Sequence, residues 1–206
     1  MKSKIINKAI NMFMEIGFKT LTVDDLAREM CISKRTIYEH FHNKHDLVEA
    51  ATMHLFEKIS NGIDDIFALN KNPIEELFAI KDFVMENLKN DSASPIYQLK
   101  KYYPQIYKSL MDRQFNKMDI CVLENLKKGI KQRFYRDGIN LRLTSRFYFA
   151  GINSIRDAEL FNPIQFSKIE VQKAYLEYHL RAICTQKGTD FMETIIKHKV
   201  KVNNNE

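Results

Sequence analysis

The stretch from residue 20 to residue 44, TLTVDDLAREMCISKRTIYEHFHNK, constrains the fold of this chain more than any other part of it. Thr22 and Asp25 have the spacing of a capping box, which starts a helix by satisfying its first backbone N–H groups. Ser33 is the next candidate N-cap, only a few residues after the first helix should end. The stretch is therefore predicted to form two short helices joined by a tight turn.

The second of these helices carries a dense set of polar side chains. Ile37 and Phe41 are four residues apart and are predicted to face a core, so that their polar neighbours point outward. A small exposed helix of this kind fits the major groove of DNA, which is about 12 Å wide. The polar side chains on it are Ser33, Lys34, Arg35, Thr36, Tyr38 and His40.

Helical periodicity continues on both sides of this stretch. Ile5, Ala9 and Phe13 predict a first helix that ends near Gly17, because glycine is an expected helix stop. Asn43 is a third candidate N-cap, and the apolar spacing after it predicts a long helix over residues 44–69. Further helices are expected from Pro104 to about Tyr135, near residues 142–160 and near residues 168–187, among others, and the last of these is expected to end the fold.

The run TLTVDDLAREMCISKRTIYEHFHNKHDL resembles the N-terminal domain of the TetR family of bacterial transcription regulators. The preceding EIGFKTLTV, the LA pair, the SKRTIYEHF recognition helix and the NKxxL start of the fourth helix carry this resemblance. It covers about residues 5–50. Cys31 stands where the family usually has glycine, and a non-glycine residue there is mildly strained if its φ is positive.

The resemblance and the helical periodicity together predict an all-α fold of about nine helices. An N-terminal three-helix helix-turn-helix domain is expected over residues 1–48, and a C-terminal helical ligand-binding and dimerisation domain over residues 49–200. A polar tail is expected over residues 201–206. The fourth helix should continue from the first domain into the second, so no flexible linker is predicted.

Several residues of the motif are suited to contact double-stranded DNA. Arg35 and Lys34 are long donors for guanine edges or phosphates. Tyr38 resembles the family tyrosine that contacts phosphate, and His40 and Lys44 match family phosphate-contact positions. The alternative is that the hydroxyl residues only cap helices and the charges form a solvated face. The predicted DNA-binding residues are Thr22, Ser33, Lys34, Arg35, Thr36, Tyr38, His40 and Lys44.

The remainder of the chain is rich in methionine and aromatic side chains. The resemblance implies that some of them line a cavity for a small-molecule effector, which such side chains would make apolar or aromatic. Nearby amides would orient that ligand. The alternative is ordinary core packing. The predicted ligand-binding residues are Phe83, Asn87, Tyr97, Met111, Gln114, Phe115, Met118 and Asn153.

The last two predicted helices each carry a stripe suited to helix packing. Paired with a symmetry mate, the two stripes would form a four-helix bundle and a homodimer. The alternative is that both stripes belong to the core of one chain. They consist of Phe147, Ala150, Gly151, Ser154, Ile155 and Ala158, and of Val171, Tyr175, Tyr178, His179, Ala182 and Ile183.

The net charge of +6 does not come mainly from the predicted DNA-binding segment. Residues 1–50 hold eight Lys and Arg against seven Asp and Glu, whereas residues 100–136 hold ten against three. The basic run from Lys127 to Arg136 is interpreted as a solvated helix end, with an anionic ligand or a second DNA contact as the alternative.

Other classes of protein are disfavoured. No run of 18 apolar residues and no apolar N-terminal signal region occur, so a cytoplasmic protein without a membrane segment is expected. The three cysteines are widely spaced, and the histidines near residue 42 are interpreted as facing solvent or phosphate, so no metal or cofactor is expected. No GxSxG nucleophile motif is present, and the chain is not expected to be an enzyme.

These features predict a ligand-responsive repressor that binds a palindromic operator as a homodimer. Two alternatives stay open. In the first, a protein partner or oxidation of Cys31, rather than a small molecule, controls the regulator. The second is a helical enzyme that carries a vestigial helix-turn-helix.

Overall fold

The structure is a computed structural model that describes residues 1–88, 95–157 and 159–203. These residues form ten α-helices, with one isolated β-bridge between Tyr135 and Cys184, and so confirm the all-α fold. The helices are α1 (Lys2–Ile16), α2 (Val23–Glu29), α3 (Lys34–Tyr38), α4 (Lys44–Ala68), α5 (Pro73–Asn87), α6 (Pro95–Tyr102), α7 (Pro104–Lys131), α8 (Leu141–Ser154), α9 (Lys168–Ile183) and α10 (Gln186–Asn203).

The chain packs as two compact units. Unit 1 comprises Met1–Gly62 and Val84–Gln114, and unit 2 comprises Ile63–Phe83 and Phe115–Glu206. The boundary between the packing units therefore lies inside α4. The division near residue 48 concerns function rather than packing, and it stays a prediction.

Unit 1 is built around the amphipathic helix α1. Ile5, Ala9 and Phe13 are buried on one face of α1 together with apolar residues of α2, α3, α4, α6 and α7. The helix ends at Gly17, whose φ of 94° is a backbone conformation that favours glycine, and whose N–H donates to the Phe13 carbonyl at 3.0 Å. A side chain at position 17 would also collide with Gln98 of α6. The predicted stop of the first helix is confirmed.

Helix α10 was not predicted, because the sequence pattern indicated a last helix that ends near residue 187 and a polar tail from residue 201. Helix α9 instead ends at Ile183, and the Thr185 hydroxyl accepts the Gly188 N–H at 3.2 Å to start α10. A side chain at Gly188 would collide with the Phe134 carbonyl oxygen. Gly188, which resembles a helix stop, is therefore needed for close packing inside a helix. The predicted tail residues 201–203 are helical, and residues 204–206 lie outside the described residues.

The predicted helices on either side of residue 137 are also shorter in the structure. Helix α7 was expected to last to about Tyr135 but ends at Lys131, since Arg133 adopts a φ of 60° and the Phe134 N–H returns to the Gly129 carbonyl at 2.9 Å. Helix α8 ends at Ser154 rather than near residue 160. The end of α7 carries no strong sequence signal, because the left-handed residue after it is Arg133 rather than a glycine.

Unit 2 contains a buried polar network that joins the start of α5 to the end of α7. The Glu76 carboxylate is fully buried, pairs with the Lys128 ammonium and accepts from the Asn125 amide at 3.0 Å. That amide also donates to the Pro73 carbonyl at 2.8 Å, and the buried Tyr135 hydroxyl donates to the Asn125 side-chain oxygen at 3.0 Å. Burial raises the pKa of Tyr135 well above its ordinary value, so this hydroxyl remains a donor.

Substitution of Lys128 by alanine is expected to lower the free energy of unfolding by about 3 kcal/mol, because it leaves the buried Glu76 carboxylate without its cation. Lys127→Ala is the matched control, since Lys127 is exposed and pairs with the exposed Glu124, a contact worth about 0–1 kcal/mol. Urea unfolding followed by circular dichroism measures both. Equal stability of the two variants would contradict a structural role for the network.

Candidate nucleic-acid interface

Helix α2 begins with the predicted capping box. The Thr22 hydroxyl accepts the Asp25 N–H at 3.1 Å, and the Asp25 carboxylate accepts both the backbone N–H and the hydroxyl of Thr22, at 3.1 and 2.6 Å. These hydrogen bonds hold the pKa of Asp25 below its ordinary value. Leu26 and Ala27 are buried on one face of α2, whereas Thr22 and Asp24 at its start are exposed.

The turn between α2 and α3 contains Cys31 in the left-handed conformation, with a φ of 53°. The backbone is held on both sides, because the Cys31 N–H donates to the Arg28 carbonyl at 3.1 Å and the Ile32 N–H to the Ala27 carbonyl at 3.0 Å. This position therefore requires the positive φ for which glycine is usual. The turn keeps the geometry of the motif although the residue differs.

Helix α3 presents its polar face as predicted. The Ser33 hydroxyl accepts the Thr36 N–H at 3.0 Å and forms a hydrogen bond of 2.8 Å with the Thr36 hydroxyl. Ile37 is buried, whereas Lys34 and Arg35 are exposed. The helix is shorter than the polar run suggested, since it ends at Tyr38.

The cations of α3 are held by acidic side chains of the same motif. The Lys34 ammonium lies 2.9 Å from the Asp24 carboxylate, a hydrogen bond that raises the pKa of Lys34. The Arg35 guanidinium lies 3.6 Å from the Glu39 carboxylate, and the Lys34 ammonium lies 5.9 Å from the Tyr38 ring centre. Because both pairs are exposed, a phosphate or a base edge can replace the carboxylates at small cost. Asp24 was not singled out from the sequence, because it lies ten residues before Lys34 and on another helix.

The start of α4 lies next to the loop that precedes α2. Asn43 caps α4 by accepting the Asp46 N–H at 2.9 Å, and the Lys44 ammonium donates to the Lys19 carbonyl at 3.3 Å. Partial burial lowers the pKa of Lys44, and the Asp25 carboxylate opposes that shift. His40 lies in the turn after α3 and is half-buried. Within the described part of the chain, no group of three His, Cys, Asp or Glu side chains has an arrangement that could hold a metal ion.

The predicted ligand-binding residues are divided between the two units. Four lie in unit 1 and four in unit 2, and most are half-buried. Met111 packs against the core of unit 1, and Met118 packs against that of unit 2. Tyr97 is the exception, because it is 61% exposed and its ring contacts the Lys101 ammonium rather than a core. The unit 1 residues are Asn87, Tyr97, Met111 and Gln114, and the unit 2 residues are Phe83, Phe115, Met118 and Asn153.

Phe115 has a defined aromatic environment within unit 2. Its ring meets that of Phe149 edge to face at 5.1 Å between centres, and the Arg146 guanidinium lies 4.2 Å from the Phe115 ring centre. The Asn153 amide donates to the Phe149 carbonyl of its own helix at 2.8 Å. One predicted polar group is thus already engaged by the backbone, although its side-chain oxygen remains an acceptor.

The two predicted dimer stripes are only partly exposed. Gly151 packs so closely on Tyr175 that a side chain at position 151 would collide with the tyrosine ring, so this glycine joins α8 to α9 within one chain. Val171, His179 and Ile183 are buried in unit 2, and burial lowers the pKa of His179 to about 4. Ala158 lies outside the described residues. The stripe residues classed as exposed are Phe147, Ala150, Ser154, Tyr178 and Ala182.

Phe147 and Tyr178 are large apolar side chains that are 68% and 73% exposed. Leu143 lies one helical turn before Phe147 and is exposed as well. Exposed apolar side chains at this helical spacing give α8 an apolar face that no described residue covers. Among the described residues, no helix is long and apolar enough to cross a membrane.

A helix-turn-helix with an exposed polar recognition helix, on an otherwise all-helical chain, defines a DNA-binding transcription regulator. The family described as bacterial regulatory proteins, tetR family, matches residues 5–51. The biofilm operon icaADBC HTH-type negative transcriptional regulator IcaR of Staphylococcus aureus is 30% identical, over 65% of this chain and 87% of that protein. The chain therefore belongs to the TetR family, which confirms the resemblance seen in its sequence.

Two further proteins resemble most of the chain. The uncharacterized HTH-type transcriptional regulator YvaF of Bacillus subtilis is 24% identical, over 92% of this chain and 99% of that protein. A solved γ-butyrolactone receptor, described as ArpA-like, has a similar fold with a TM-score of 0.70. That structure is 12% identical and covers 95% of this chain and 94% of its own.

Proposed function

We propose that this protein represses transcription by binding a palindromic operator as a homodimer, and that a small apolar or aromatic effector releases it. The observation that carries the proposal is the exposed polar face of α3, behind which Ile37 is fully buried. The buried Ile37 holds the helix in place, and the exposed side chains of Lys34, Arg35 and Tyr38 can reach into a major groove once the bases and phosphates replace their acidic partners. The other predicted DNA contacts lie close to this face in the sequence, namely Thr22, Ser33, Thr36, His40 and Lys44.

Repression is supported by IcaR, which is described as a negative transcriptional regulator. A repressor of this kind places two recognition helices about 34–36 Å apart, so that they reach successive major grooves on one side of the duplex. Assembly through the exposed face of α8 and α9 would supply the second helix. The operator should therefore be an inverted repeat.

Operator binding is tested by selecting duplexes from a random library with the full chain and then measuring the affinity by fluorescence anisotropy. We expect an enriched inverted repeat that binds about a thousandfold or more tighter than unrelated DNA, which is the usual specificity of such complexes. Failure to enrich any sequence above the starting library would contradict the proposal.

The effector is proposed to bind at the four predicted ligand-binding residues of unit 2, Phe83, Phe115, Met118 and Asn153, of which Phe115 has the best-defined surroundings. Support comes from the similar fold of the solved γ-butyrolactone receptor, since a γ-butyrolactone is a small molecule. Helix α4 carries Lys44 in its first turn and continues to Ala68. An effector that shifts the far end of α4 would change the spacing of the recognition helices.

A ligand found by a melting-shift screen is expected to stabilise the protein by about 2.7 kcal/mol at a hundred times its dissociation constant. It should weaken operator binding by about 1–3 kcal/mol, the usual range of allosteric coupling. Phe115→Ala should lose this response and keep operator binding, because α3 lies in unit 1.

The chain offers a close control for that substitution. Phe134 also meets a second phenylalanine edge to face, Phe191 at 5.4 Å, and has a cation over its ring, Lys187 at 4.3 Å. Phe134→Ala removes the same kind of packing but should leave the ligand response intact. Loss of the response in both variants, or in neither, would contradict an effector site at Phe115.

A further inference from the structure

A stripe of lysine and tyrosine side chains lies on α6 and on the adjoining loop before α2, within unit 1. We call it the α6 stripe. Residues 95–111 contain three lysines and four tyrosines and no Asp or Glu. This segment therefore accounts for part of the basic excess between residues 100 and 136 that the recognition helix does not explain. The α6 stripe consists of Lys19, Tyr97, Lys100, Lys101 and Tyr102.

Lysines and phenol rings alternate along the stripe. The Lys101 ammonium lies 5.6 Å from the ring centres of both Tyr97 and Tyr102, and the Lys19 ammonium lies 5.1 Å from the Tyr102 ring centre. The Lys101 ammonium also approaches the Tyr97 hydroxyl at 3.5 Å. The rings hold the cations at the surface by cation–π attraction, and the hydroxyls add further donors.

The stripe adjoins the residues proposed to contact DNA. The Lys19 carbonyl accepts from the Lys44 ammonium at 3.3 Å, and the Lys19 N–H donates to the Gln98 side chain at 3.0 Å. Gln98 thus fastens α6 to the loop before α2. A phosphate backbone that passes Lys44 at the edge of a half-site would next meet Lys19 and then α6.

The charges of the stripe are available without breaking an ion pair. In the described ranges, none of Lys19, Lys100 and Lys101 has a carboxylate oxygen within 4.0 Å of its ammonium, whereas Lys34 is held by Asp24 at 2.9 Å. An exposed, uncompensated row of cations and hydroxyls is suited to a polyanion whose charges are regularly spaced.

We propose that the α6 stripe binds the phosphate backbone of the DNA that flanks each half-site, so that the protein covers a longer duplex than the recognition helices alone require. This inference rests on the proposed DNA-binding function. The stripe adds affinity that does not depend on base sequence, whereas α3 supplies the sequence preference.

The test uses the full-length double variant Lys100→Ala, Lys101→Ala and two duplexes. One duplex ends at the outer edges of the two half-sites, and the other extends about one helical turn, roughly 10 base pairs, beyond each edge. On the extended duplex the variant should bind about tenfold more weakly. The slope of log K against log salt should fall in magnitude by about 3.6, since each phosphate contact contributes about 0.9 and a dimer loses four. On the trimmed duplex, variant and parent should bind alike.

Lys127→Ala, Lys131→Ala is the matched control, because it removes two exposed lysines from unit 2 and changes the net charge equally. Equal losses in the two double variants would show an effect of net charge alone and overturn the proposal. An unchanged affinity on the extended duplex would also overturn it and would leave an acidic protein as the partner to examine. An equal loss on both duplexes would place the lysines inside the half-site and overturn the flanking contact. Melting temperatures verify that these exposed substitutions leave the fold intact.

Failure of the proposed function is distinguishable from failure of this inference. If no operator is enriched, the salt slope of the α6 variant is measured on unrelated duplexes of the same two lengths. A length-dependent loss there supports the stripe as a backbone contact, and its absence overturns it.

Discussion

Simultaneous replacement of Arg35 and Tyr38 by alanine is expected to lower operator affinity by at least about a hundredfold, since a good base contact alone is worth about 1–3 kcal/mol and the dimer loses each contact twice. Both side chains are exposed on α3, so the fold should be unaffected. Anisotropy titrations against the selected operator and against unrelated DNA measure the change. Binding to unrelated DNA should fall much less, because the flanking cations remain.

Arg142→Ala is a suitable control for this experiment, because Arg142 is an exposed arginine on α8, outside the helix-turn-helix. It should leave both affinities within a factor of about two, as expected for a distant surface substitution. An Arg35→Ala, Tyr38→Ala variant that remains folded and keeps full operator affinity would exclude α3 as the recognition helix.

Arginine at Phe147 is expected to convert the dimer to a monomer at micromolar concentration. A symmetric interface would contain the substitution twice, and each buried unpaired charge costs several kcal/mol. Sedimentation velocity should show the parent as a dimer and Phe147→Arg as a monomer, with the same expected for Ala150→Arg. Operator affinity should fall together with dimerisation, because one recognition helix contacts only half of the site.

Leu69→Arg provides the control, since Leu69 is 64% exposed in unit 2 but lies at the end of α4 rather than on α8 or α9. This variant should remain dimeric. Gly151→Arg is an unsuitable probe although Gly151 belongs to the predicted stripe, because the substitution would displace Tyr175 and break the packing of α8 on α9. A parent protein that sediments as a monomer, or a dimeric Phe147→Arg, would contradict assembly through this face.

The acidic side chains that keep the net charge of the helix-turn-helix low include the partners of its cations. Asp24 and Glu39 form ion pairs with Lys34 and Arg35, so the recognition helix presents few unpaired cations. Such pairs cost little to exchange, and they restrain the side chains before binding. Nonspecific attraction would then come mainly from other cations, for which the α6 stripe is our candidate.

Local interactions explain which features the amino-acid sequence alone could predict. Thr22, Ser33 and Asn43 cap their helices through hydrogen bonds that span three residues, and Gly17 ends α1 through a bond within one turn. Such contacts require no distant partner, so the residue type and its spacing are sufficient. Ile37 was predicted to face the core for the same reason, since helical periodicity sets its direction.

Features that depend on distant residues could be decided only by the tertiary structure. Gly188 has the local appearance of a helix stop but lies inside α10. A glycine is needed there because a side chain would collide with the Phe134 carbonyl oxygen. Gly151 looked like part of a dimer surface, yet Tyr175 covers it within the chain. The sequence by itself determined the helix-turn-helix and its outward face, because caps and periodicity act within a few residues. Only tertiary packing determined which small residues, apolar faces and lysines remain exposed, because burial depends on what the rest of the chain brings against them.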